Sequence, residues 1–288
     1  MTARVTRRPA VRRSARAAAI SAVRPGSHSG SRSLAAGLAV AGAAVVGGAV
    51  AGHLAPALTS LTPARRLLLP GLAGRVRGGE GIALTYDDGP DPLSTPQFLD
   101  LLERHDVRAT FFLLGAWVEP NARLVRDMAD RGHELAVHGW DHQCLAVKRP
   151  GRLRGELDRA AACIAEASGQ LPAFYRPPYG VMTAEVPYAA RAAGLRTVLW
   201  STWGRDWSAS ATPASVTRRV ERALRPGGTV LLHDTDRTST PGSWRTTLAA
   251  SEVLLTRWRA RGIPVQTLGE HLATAGNPGE APRVPEVV

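Results

Sequence analysis

From Gly81 onward the chain keeps one rhythm: a short run of Val, Leu, Ile or Phe, then an amphipathic stretch, then another apolar run. The runs predict strands at Ile82–Tyr86, Ala109–Leu114, Glu134–Val137, Ala173–Tyr175, Thr197–Trp200, Thr229–Leu232 and Pro264–Leu268. Between them, helical spacing covers Thr95–Arg104, Ala122–Arg131, Arg152–Ser168, Ala184–Ala193, Ala214–Leu224 and Ser243–Arg261. Several of these helices close on a glycine (Gly132, Gly169, Gly194, Gly262), the residue that most easily takes the left-handed conformation after a last turn. Seven strands separated by helices must pair in parallel. That leaves two architectures, a β/α barrel or a doubly wound open sheet, and in both the sites gather at the C-terminal ends of the strands.

The first eighty residues have another character. The chain of 288 residues carries a formal charge of +12, yet no Asp or Glu precedes Glu80, and residues 1–79 hold twelve arginines. The remaining 24 basic residues match the 24 acidic ones, so the folded body is formally neutral and its composition argues against a nucleic-acid partner. Residues 1–33 read as a disordered basic segment. Leu34–Ala51 runs eighteen residues without a charge, about 27 Å of helix, within an apolar segment at 34–59 followed by a linker at 60–79. Three readings stand. The run is a transmembrane anchor with the catalytic domain outside the cell, a cleaved signal of a secreted protein, or part of a soluble basic arm. The first makes the membrane a partner. Export would permit a Cys144–Cys163 disulfide; the alternative is two half-buried thiols. Residues 80–275 form the predicted domain, and 276–288 read as a disordered tail.

Five polar clusters fall at five predicted strand ends. Thr85-Tyr86-Asp87-Asp88-Gly89-Pro90 places two carboxylates at one turn, and His138-Gly139-Trp140-Asp141-His142 spaces two imidazoles for one cation. Arg176-Pro177-Pro178-Tyr179-Gly180 offers a rigid fork for a carboxylate. Asp206-Trp207 sets a carboxylate beside an aromatic, and Leu231-Leu232-His233 ends an apolar strand on an imidazole. Each alone has a bland reading as loop polarity or core packing.

In this order the five resemble the motifs of the NodB-homology polysaccharide deacetylases, carbohydrate esterase family 4, over about residues 80–270. The resemblance implies a distorted (β/α) barrel of about seven parallel strands. It implies a divalent metal, zinc first, with cobalt or another ion possible, held by Asp88, His138 and His142. Asp87 would be the general base, oriented by Arg176. His233 would be the general acid, steered by Asp206. The backbone N–H of Tyr179 would help hold the oxyanion, and Trp207 with Leu231 would floor a pocket for the acetyl methyl. The implied reaction is hydrolysis of N-acetyl groups from a cell-wall or extracellular polysaccharide of N-acetylglucosamine type. A polysaccharide O-acetyl esterase and a non-catalytic glycan-binding pseudoenzyme are the alternatives. Three positions depart from the family pattern: Tyr86 for Phe, Gly139 for Ser or Thr, and Trp203 for a second Asp. His133 reads as structural, and His28, His53, His105 and His271 as solvated.

Overall fold

A computed structural model of the chain describes residues 47–48, 50–57 and 71–274. The segments expected at 1–33 and 276–288, with 34–46, 49, 58–70 and 275, lie outside the described residues. The strands are β1 (Ile82–Asp87), β2 (Thr110–Leu113), β3 (Glu134–Val137), β4 (Phe174–Tyr175), β5 (Arg196–Thr197), β6 (Thr202–Trp203), β7 (Thr229–His233) and β8 (Val265–Gln266). The helices are α1 (Thr95–Arg104), α2 (Gly115–Val118), α3 (Ala122–Asp130), α4 (Leu153–Ser168), α5 (Val186–Ala192), α6 (Pro213–Ala223), α7 (Ser243–Ala260) and α8 (Leu268–Ala273). The strands follow the order β5-β4-β3-β2-β1-β7-β6, every pair parallel, with β8 joined to β1. β8 pairs Ile82 and Ala83, while β2 pairs Thr85 to Asp87, so β1 changes neighbour along its own length. The sheet curls into the distorted barrel that the motifs implied.

Period-two alternation divides the core. Ile82, Leu84, Tyr86, Phe111, Leu135 and Val230 pack outward against the helices. Ala83, Phe112, Ala136, Phe174 and Val198 fill the interior, with Leu268 from α8 beneath them. The interior-facing set continues upward to Asp87, His138, Arg176 and His233. One parity thus carries both the barrel filling and the chemistry. At the lower end Glu134 accepts from the Thr110 hydroxyl (2.6 Å) and the Gly269 N–H (3.1 Å), which ties α8 across the base.

Three expectations change. The single strand expected at Thr197–Trp200 is two short ones, because the carbonyls of Val198 and Leu199 turn inward to accept from Arg176 (3.3 and 2.8 Å). The strand expected at Pro264–Leu268 stops at Gln266, where Thr267 and Glu270 form a capping box that starts α8. His271 is buried, its Nε2 3.1 Å from the Gly227 carbonyl, so it is not solvated.

The membrane placement is also overturned. Among the described residues no helix is long and apolar enough to cross a membrane. The helical residues at 50–57 span only about 12 Å. A single-pass membrane location, and the membrane as a partner, therefore find no support. Cys144 and Cys163 are both free thiols, half-buried, so no disulfide joins them.

Candidate active site

The tandem carboxylates are separated by a backbone reversal. Asp87 ends β1 on the interior face, and Asp88 would point outward by alternation. Its φ of +79° breaks the strand and turns it back over the barrel mouth. Gly89 then has no room for a side chain, since a Cβ there would fall 2.8 Å from the Asp234 carboxylate. Asp234 is itself buried behind the turn and bonded by the Thr95 hydroxyl; burial pushes its carboxyl up to about 7.

Asp88 Oδ1 lies 3.2 Å from Nε2 of His138 and 3.2 Å from Nε2 of His142. The three residues form a group of ligand atoms within 4.8 Å of one another. His138 Nδ1 lies 2.8 Å from the Arg176 carbonyl, which can only accept, so the proton sits on Nδ1 and the Nε2 lone pair faces Asp88. Burial drives His142 down to about 4, against the pull of Asp88, so it is neutral near pH 7. Asp88 Oδ1 is buried with no hydrogen-bond donor. A carboxylate oxygen without a hydrogen-bond donor and two imidazole nitrogens converging on it suit a divalent cation.

Asp87 is buried, and its Oδ1 accepts from Arg176 Nη1 at 2.6 Å while Oδ2 lies 3.8 Å from His138 Nε2. Arg176 is wholly buried, and each of its three nitrogens donates a hydrogen bond. Nη1 also donates to the Thr85 hydroxyl at 2.9 Å, Nη2 and Nε reach the carbonyls after β5, and the guanidinium lies 3.9 Å over the Phe112 ring. Burial presses its pKa down and Asp87 opposes that.

Across the mouth, β7 registers His233 against Asp87. Asp206 Oδ2 accepts the His233 backbone N–H at 2.8 Å, and both carboxylate oxygens lie 3.2 Å from Nδ1. The Thr247 hydroxyl holds the same carboxylate at 2.9 Å. Burial disfavours charge on His233, but Asp206, then Asp88 and Asp87, push it up to about 10.

A cavity of about 170 Å³ opens above these groups. Of the ten residues expected at the site, all but Arg176 and Asp206 line it, and those two stand directly behind Asp87 and His233. Tyr179 sits in a 3-10 turn (Pro178–Gly180) with φ +59°, its ring 4.4 Å from His142. Trp207 lies 5.6 Å from His233 and 4.8 Å from Trp203, which stacks on Trp200 at 5.7 Å.

The three departures from the pattern have structural reasons. The Tyr86 hydroxyl donates to Ser251 (3.0 Å) on α7. Gly139 has φ +105°, a conformation that disfavours any side chain. Trp203 replaces a carboxylate with the centre of an aromatic wall. Sequence reasoning placed Thr85 in the first cluster without a role and missed Thr247 and Thr238, the last lining the cavity and donating to Asp88 Oδ2. Thr238 lies in Asp234–Gly242, where several hydroxyls alternate and nothing marks which one turns inward.

Fold and site together describe a curled β/α barrel whose mouth carries three residues able to hold a cation. The polysaccharide deacetylase family model matches residues 75–198. A chitooligosaccharide deacetylase of Bradyrhizobium sp. (strain ANU 289) is 38% identical over 202 residues, covering 68% of this chain and 92% of that protein. A peptidoglycan-N-acetylglucosamine deacetylase, PgdA of Listeria monocytogenes, is 33% identical over 196 residues, covering 68% of this chain but only 40% of its own length. Among solved structures, a carbohydrate esterase family 4 pseudoenzyme from Bacillus anthracis superposes with TM-score 0.61 at 28% identity, covering 68% of this chain and 66% of that one. The chain belongs to the NodB-homology polysaccharide deacetylases, carbohydrate esterase family 4.

Proposed function

We propose that this chain hydrolyses the N-acetyl group of N-acetylglucosamine-type sugars in a polysaccharide or its oligomers, with a divalent cation, zinc first, at Asp88, His138 and His142. One observation carries the reading. A single cavity gathers three converging ligand atoms, a carboxylate clamped by Arg176 and an imidazole clamped by Asp206. When bound there, such a cation supplies Lewis-acid polarisation of the acetamide carbonyl and makes water easier to deprotonate.

The chain's own residues do the rest. Asp87, locked through Oδ1, takes a proton from the attacking water on Oδ2. Water oxygen adds to the carbonyl carbon, with the backbone N–H of Tyr179 assigned to the oxyanion. His233, held through Nδ1 by Asp206, is protonated at neutral pH and donates from Nε2 to the departing nitrogen. The carbon–nitrogen bond breaks, giving acetate and the sugar amine. Trp207 and Leu231 offer an apolar seat for the methyl group. Arg176 and Asp206 act by orientation, and both are fully buried.

The test is acetate release by the full chain from chitooligosaccharides, peptidoglycan and acetylated xylan, before and after chelation, beside Asp87→Asn. We expect release from a glucosamine-based glycan that chelation abolishes, zinc or cobalt restores, and Asp87→Asn lacks. Release from acetylated xylan alone would replace this reading with the O-acetyl esterase. Metal-loaded protein that releases nothing would overturn the assignment in favour of a glycan-binding protein.

A further inference from the structure

The two oxygens of Asp88 have unlike surroundings. Oδ1 faces two imidazole nitrogens, 3.2 Å from each, and receives no hydrogen bond. Oδ2 accepts a hydrogen bond from the Thr238 hydroxyl. Thr238 arrives from the loop between β7 and α7, and that loop is tied to the turn that carries Asp88. Arg237 Nη2 donates to Asp91 Oδ2 at 2.8 Å and to the Pro90 carbonyl at 3.2 Å, and its guanidinium lies 3.6 Å over the Trp117 ring. Within the loop, the Arg237 N–H reaches the Thr235 hydroxyl (3.2 Å) and the Ser239 N–H reaches the Asp236 carbonyl (3.0 Å). The hydroxyl is therefore delivered by a pinned turn to a carboxylate whose own backbone has left the sheet.

We propose that Thr238 is a positioning residue for the metal carboxylate: by occupying Oδ2 it presents Oδ1 alone to the cation. This rests on the reading of Asp88, His138 and His142 as the metal ligands. A carboxylate at a strand break can rotate about its last bond and offer either oxygen. A single O–H donor on one oxygen fixes its plane and takes that oxygen out of competition for the cation. Only a hydroxyl at 238 does this, because a carboxylate offers no donor in return and an isosteric methyl offers none either.

The test is zinc affinity of the chelated full chain, measured by competition with a chromophoric chelator, for wild type, Thr238→Val, Thr238→Ala and Thr238→Ser. Removing a hydrogen bond behind a metal ligand weakens metal binding about 10–100-fold, which is the loss expected for Val and Ala. Ser keeps the donor and is expected to bind close to wild type, with the far-ultraviolet circular dichroism of all four metal-free proteins unchanged. Wild-type affinity in Thr238→Val overturns the inference. If Thr238→Val does not fold, equal affinities for the Ala and Ser variants overturn it instead. A wild-type chain that binds no zinc defeats the triad reading itself, and this inference with it.

Discussion

His233, the proposed proton donor, is clamped at Nδ1 by the Asp206 carboxylate. His233→Ala is expected to lower kcat about 10²–10⁴-fold, a usual share for a general acid, and unchanged turnover would sink that role. The pH dependence follows from the sign of its shift. The folded pKa lies above the ordinary value, so the donating form is present at neutral pH and is lost as pH rises through about 10. Asp206 is the largest group acting upward against burial. Asp206→Asn should therefore move the alkaline limb of the pH–rate profile to lower pH by roughly a unit or more, and an unmoved limb would refute the assignment. The residues gathered at the cavity were legible in the sequence through the order of five motifs that resembles one family, since each cluster alone reads equally well as loop polarity. Thr238, Thr247 and the role of Thr85 were not, since a hydroxyl fits any loop or strand and only the packed barrel selects its partner.

Among the elements, helices were read within a residue or two wherever an apolar face repeated for two turns or more, as over Thr95–Arg104. Short elements escaped. The four residues of α2 are too few for a period, and α8 lay hidden behind an apolar run that reads equally well as strand. The break between β5 and β6 has no local cause, because it is made by a guanidinium arriving from β4. Local signals do fix some ends. α6 begins at a capping box in which Thr212 accepts from the Ser215 N–H and the Ser215 hydroxyl accepts from the Thr212 N–H. Thr212→Ala should cost about 1 kcal/mol in urea unfolding and leave acetate release unchanged. A loss of turnover at full stability would show that α6 bears on the site.

For the molecule as a whole, the site exists only in the curled sheet, since its parts come from the ends of β1, β3, β4, β6 and β7 and no two adjacent motifs contain it. Zinc should therefore stabilise the fold by about 2.7 kcal/mol at a hundredfold excess over Kd, seen as a thermal midpoint that rises with its concentration, and a midpoint indifferent to zinc would count against the cation site. The neutral body and the basic first eighty residues were separable from composition alone, whereas the apolar run could be placed in a membrane only by its length, which the described helix does not reach. Arg176 joins these scales. It clamps Asp87, and it also bridges β1, β4 and the carbonyls beyond β5 from inside the wall. Arg176→Met should cost about 3–5 kcal/mol of stability by stranding Asp87 in the interior; a loss under about 1 kcal/mol would show the pair to be dispensable to the fold. The same linkage constrains descent. A lineage that abandons catalysis by replacing Asp87 with an apolar residue strands a cation in its own core, so viable inactive descendants are expected to lose the two partners together, or to retire the enzyme elsewhere, at His233 or the metal ligands, while this pair persists as a fossil of the reaction.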